Sequence, residues 1–191
     1  TNWASVDTND GVPSPHTGTR FMGKSWVGND DALLVSPVYN LTSYSSDQVR
    51  LNVWIYRSLD GLSSDRTTFY ANTNPNITGA TQLLDVSLLL SVAPTEATDG
   101  WYNYTAVIPN TFITSGDFYI IARGRTTSSF SSYDIGFDDY ALELVPATPP
   151  TCSTITTPAN NALNVAIESN ISWAANIDAT LNASYRSFKP E

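Results

Sequence analysis

The chain has 191 residues, with 9 Lys or Arg, 18 Asp or Glu and a single His, which gives a net charge of −9. That balance excludes a phosphate-backbone binder, which needs clustered basic side chains to displace counterions. Charged residues are 14% of the chain, hydrophobic residues 41% and aromatics 12%, so Ser, Thr and Asn cover much of the surface and the aromatic content rules out a disordered acidic polymer.

In chain order, strand-type segments fall at Thr19–Lys24, Ala32–Ser36, Val49–Arg57, Thr67–Asn72, Gln82–Val86, Trp101–Ile108, Asp117–Arg125 and Asp134–Leu144. Clusters of Gly, Pro, Asn, Asp and Ser separate them, and helix signals are almost absent. Val49, Leu51, Val53 and Ile55 share one face by the two-residue period, with Asn52, Trp54 and Tyr56 on the other. Both faces are rather apolar, which predicts a central strand. Eight strands in about 145 residues predict an all-β fold, a two-sheet antiparallel jelly-roll sandwich. Of the Trp residues, Trp3, Trp54 and Trp101 are expected mainly in the core.

Pro146, Pro149 and Pro150 lack the N–H donor a ladder needs, so residues 146–150 read as a linker. Beyond them, 164–167 and 170–173 read as the first strands of a second β module. A core built from forty residues rarely stands alone, so residues 151–191 are read as the start of a further domain that the sequence does not complete. No apolar run approaches the ~18 residues of a membrane span, and no membrane insertion is expected. The sequence opens without a basic and apolar leader, and is expected to follow a signal peptide or an upstream segment. Cys152 is alone and forms no internal disulfide. Five Asn-x-Ser/Thr sequons, at Asn40, Asn76, Asn103, Asn170 and Asn182, are expected by chance in so polar a chain.

Three oxygen-rich segments stand out: 7–11, 28–31 and 137–140. They hold the carboxylates and amides that a hard cation such as Ca²⁺ takes six to eight of. Residues 7–11 open like an EF-hand, yet position six is not Gly and position twelve is not Glu. Asp138 and Asp139 sit inside a strand, where a metal, an Arg or several N–H donors must compensate the charge. His16 lies in a Pro-flanked loop, and no Gly-x-Ser-x-Gly elbow, phosphate loop or zinc-protease helix is present, so no enzymatic activity is expected. Trp26, Trp54, Tyr56 and Tyr133 are the candidate ligand-binding aromatics, because their faces stack on sugar rings, and of these Trp26 and Tyr133, set in polar segments, are favoured.

Trp3 with the Asp-rich turn, Pro15-His16-Thr17-Gly18 leading into Phe21-Met22, Ala32-x-Leu34-x-Ser36-Pro37 and Asp134-Ile135-Gly136-Phe137-Asp138-Asp139 follow one another in an order that resembles a MAM domain. The order is also similar to the cleaved-adhesin and "choice-of-anchor J" modules of secreted bacterial proteins. The resemblance covers residues 1 to about 145 and implies a jelly roll with a structural Ca²⁺. Asp138 and Asp139 match the acidic pair, Gly18 and His16 would give backbone carbonyls, and Asp31 matches a polar residue before the Leu-x-Ser-Pro strand. Asp7 and Asn9 match a second Ca²⁺ turn. Pro15 stands where MAM domains usually have Asp, and their disulfide cysteines are missing, which favours the bacterial branch. Residues 149–173 resemble the start of a fibronectin type III-like repeat.

These readings together lead to a non-catalytic adhesion or substrate-targeting module, Ca²⁺-stabilised, monomeric and secreted or at the cell surface within a larger protein. Its expected partners are an extracellular protein or glycan surface. The alternatives are a carbohydrate-binding module of a secreted glycoside hydrolase and an accessory folding domain of a secreted protease.

Overall fold

The structure is a computed structural model. It describes residues 2–8, 11–25, 29–127 and 134–145, and further on 155–157, 163 and 172–173. The chain divides into two compact units, Thr1–Val145 and Pro146–Glu191.

The first unit is a sandwich of two antiparallel sheets. One sheet has the order β1 (Ala4–Val6), β2 (Phe21–Lys24), β10 (Ile135–Val145), β5 (Gln48–Arg57), β8 (Gly100–Val107). The other has the order β3 (Asp30–Val35), β9 (Asp117–Thr126), β6 (Arg66–Asn72), β7 (Thr81–Ser87), with β4 (Tyr39–Asn40) also paired to β9. Each of the eight predicted segments is a strand, and β5 lies between β10 and β8, the interior place its two apolar faces predict. The sequence reading lacks β1, β4 and the short helix α1 (Asn110–Ser115), which are too brief to show a period.

Alternation sorts β5 cleanly. Val49, Leu51, Val53 and Ile55 are buried toward the opposite sheet with Phe69, Ala71, Phe118, Ile120 and Phe137. Phe69 of β6 meets Phe137 of β10 edge to face at 5.2 Å, and Phe137 meets Trp3 at 5.0 Å. One chain of rings therefore ties the two sheets together. Trp3 is in this core, as expected, its indole N–H donating to the Ala32 carbonyl. Gly124 faces it too. A Cβ there would come within 2.7 Å of both Ile135 and Trp3, so the sheets close over a position only glycine fits.

Two cations are also fully buried, Lys24 and Arg57. Lys24 donates to Thr126 Oγ1 and pairs with Asp30 at 3.3 Å. Arg57, at the end of β5, donates to the carbonyls of Ser87, Leu89, Val92 and Pro94 and to the Tyr104 hydroxyl. The charge thus lies among carbonyl dipoles, as a buried ion must.

In the second unit, β11 (Ile155–Thr157) pairs antiparallel with β12 (Ser172–Trp173). The expected strand at 164–167 lies outside the described residues.

Candidate functional site

Asp138 and Asp139 meet His16 at the outer face of the first sheet, through a β-bulge in β10. Asp138 is opposite Trp54 of β5, yet the next paired residue is Ala141, opposite Asn52. Three positions on β10 therefore span two on β5. The extra residue is accommodated by Asp139 at φ +47, a left-handed conformation that Asp tolerates better than bulkier residues. Strand neighbours normally point to opposite faces; the bulge instead lets both carboxylates reach the same loop.

That loop supplies their partners. The backbone N–H groups of His16 and Thr17 donate to Asp138 Oδ2, at 2.9 and 3.3 Å. The Thr17 hydroxyl donates to Asp139 Oδ1 at 2.5 Å, and His16 Nδ1 lies 2.6 Å from Asp139 Oδ2. The Asp139 N–H closes the set on Asp138 Oδ1. Gly18, at φ +65, turns the chain immediately afterwards, a conformation glycine adopts without strain. Partial burial pushes the Asp139 carboxyl upward, but the bonds from Thr17 and His16 outweigh it and leave its pKa below the usual carboxylate value.

The His16 ring stacks on Trp54 at 3.7 Å, and the Trp101 indole donates to the Ser14 carbonyl. Trp101 also meets Phe21 and Tyr56 edge to face. With Val12 fully buried, these form a small second core beneath the loop. Trp54 and Trp101, expected in the main core, are instead half-buried on the outside of the sheet, covered by the chain's own loop. The alternation of β5 points them outward, since the same strand sends Val53 and Ile55 inward.

Asp31 stands apart from Asp138 and Asp139. It belongs to β3 in the other sheet, and both its carboxylate oxygens accept from Arg123 Nε, at 2.9 and 3.0 Å. An Arg fork on a carboxylate is a complete partnership. Among the described residues no third acidic side chain joins Asp138 and Asp139. Their two carboxylates and the Thr17 hydroxyl are hard oxygen donors of the kind Ca²⁺ takes. The pair fits such an ion in kind, with carbonyls and water needed to complete its shell. Asp7 accepts from the Thr8 N–H, while Asn9, Trp26 and Tyr133 lie outside the described residues.

Along the same outer face runs a polar ladder that sequence reasoning missed. Glu143 accepts from Arg50 at 2.8 Å and from Asn52 at 2.6 Å, and Asn103 donates to Asn52. The Asn52 bond, helped by Arg50 and opposed by burial, holds the Glu143 carboxyl below its ordinary pKa. A depressed carboxyl stabilises the fold above the ordinary carboxylate range, and that stabilisation is lost as pH falls through the folded-state value. Only register, which places Glu143 opposite Arg50, could have revealed the ladder.

Among solved structures the chain is similar to three cleaved adhesin domains of Lys-gingipain. The K1 cleaved adhesin domain of Lys-gingipain from Porphyromonas gingivalis shares 14% identity over 74% of this chain and 89% of that one, with a TM-score of 0.51. For the K2 domain of Lys-gingipain the figures are 19%, 74%, 83% and 0.50, and for the K3 domain from Porphyromonas gingivalis 20%, 74%, 90% and 0.47. No protein-family model matches the chain, and none of the curated proteins does. At these identities the K1 and K2 likenesses show a shared fold, and the two-sheet sandwich is that fold.

Proposed function

We propose that the chain is a non-catalytic extracellular module that serves adhesion or substrate targeting within a larger secreted protein. The observation that carries this reading is how the fold uses its chemically capable residues. The single His and the paired Asp residues hold loop 14–18 to β10 through hydrogen bonds between them. Broad sheet faces bearing amide, hydroxyl and guanidinium groups are what the sandwich offers outward. Similarity to cleaved adhesin domains supports the adhesive role, and among the described residues no helix is long and apolar enough to cross a membrane. The second unit is proposed as the start of a fibronectin type III-like repeat.

An array of glycans and extracellular-matrix proteins tests the reading. The folded chain is expected to bind members of at least one class, and Trp26→Ala or Tyr133→Ala to weaken glycan binding about tenfold if those rings stack on sugar. A folded chain that binds neither class overturns it.

Ca²⁺ is proposed at Asp138 and Asp139, where it would neutralise two adjacent charges and fasten the loop to β10. Chelation with EDTA is expected to lower the melting temperature by several degrees, and Asp139→Ala to abolish that sensitivity. An unchanged melting curve of metal-loaded protein in excess EDTA would remove Ca²⁺ from the account.

A further inference from the structure

The outer face of the second sheet carries a groove of about 120 Å³ lined by Arg66, Thr68, Tyr70, Gln82, Asp85, Arg123 and Arg125. It spans β9, β6 and β7, and three of the chain's nine Lys and Arg residues meet there. Asp85 lines it too, and Asp31 is bound to Arg123, so the cluster keeps one net positive charge on a chain of −9.

Two of the three guanidinium groups are occupied. Arg123 holds Asp31, and Arg66 Nε donates to Asp85 at 2.6 Å. Arg125 differs. It is exposed, and among the described residues no group hydrogen-bonds or ion-pairs with it. In the ladder it stands directly opposite Arg66 on one side and Asp31 on the other, but Asp31 is turned to Arg123. Like charges facing each other across two strands destabilise a sheet. An anion seated between them would turn the repulsion into attraction.

The groove's chemistry narrows the ligand. Its volume admits one charged group rather than a whole drug-sized molecule. It lies on the sheet face, where the backbone groups of β9 and β6 are already taken by their neighbours on both sides, so a peptide strand has no main chain to pair with. What remains are side-chain donors and acceptors set around a phenol ring, a combination suited to hydroxyl-bearing rings. Resting on the reading of the chain as a binding module, we propose that this groove binds an oxyanion carried on a saccharide, a carboxylate or a sulfate ester. Arg125 is its primary contact, Arg66 and Arg123 flank it, and Gln82 and Asp85 meet the sugar hydroxyls.

Calorimetric titration of the full chain tests the proposal with four probes: a short oligogalacturonate, a sulfated heparin-type oligosaccharide, a neutral oligosaccharide and a short oligoglutamate. One or both acidic saccharides are expected to bind, the two arms telling carboxylate from sulfate, and the neutral one not. Arg125→Gln is expected to weaken that binding about tenfold or more, with a melting temperature equal to or above the parent's because the repulsion with Arg66 is gone. Arg20→Gln, the same charge change outside the groove, should leave it unaltered. The proposal is overturned if neither acidic saccharide binds, if Arg125→Gln and Arg20→Gln weaken binding equally, or if oligoglutamate binds as tightly through Arg125. Failure of these probes while array ligands still bind rejects the groove alone; a folded chain that binds nothing on the array rejects the module reading.

Discussion

Replacing Arg57 with Leu is expected to destabilise the sandwich by about 3–5 kcal/mol, the range for leaving several buried polar groups without partners. Arg57 is fully buried, and its guanidinium bonds four carbonyls, three of them in the segment between β7 and β8. A Leu side chain fills part of the volume but leaves those carbonyls facing apolar surroundings or forces the segment open to water. Arg57→Lys keeps the charge while replacing a planar fork by a point donor, and is expected to recover less than half of the loss. Urea denaturation of both variants gives the comparison. A loss below about 1 kcal/mol for Arg57→Leu would mean that the segment rehydrates freely and that the bonds contribute little net stability.

Phe69→Ala is expected to cost a similar amount, about 3–5 kcal/mol, as for other buried aromatic truncations. Phe69 is 1% exposed and bridges the sheets, edge-on to Phe137 and stacked with Tyr140 at 6.3 Å. Its removal opens a cavity between two sheets whose backbones are held by their own ladders and so collapse only in part. Phe69→Leu should cost far less, because most of the volume is restored. Equal losses for the two variants, measured by the same denaturation, would show that ring geometry rather than volume governs the site.

Period-two alternation made the strands legible, and the assignment of β5 to the interior followed from two apolar faces on one segment. The acidic pair and the His16 loop were legible as residues of interest, and they do meet. What alternation cannot express is register. Asp31 entered the metal set as the polar residue before the Leu-x-Ser-Pro strand, whereas its partner Arg123 is ninety-two positions away and one strand across. Arg57 closes its predicted strand with no sign of what buries it, and its partners are the end of β7 and the segment after it, thirty or more residues further on. The Arg66 and Arg125 juxtaposition is likewise a product of pairing β6 with β9. Trp54 was misassigned for a different reason: an indole on the outer face is covered by a loop, and burial by a loop leaves no periodic trace.

Strand order also governs when the molecule can exist. β10, the last strand of the sandwich, lies between β2 and β5, two strands made much earlier. Until residues 135–145 leave the ribosome, the first sheet is two separate pieces with open edges facing each other, and Phe69 has no ring from Phe137 to meet. Such late, long-range closure is slow compared with local pairing, and unpaired edges invite the wrong strand. From the end of β8 until β10 follows, the first sheet of the nascent module is therefore a pair of unsealed halves, and the strand that seals it also carries the two aspartates that fasten the loop outside.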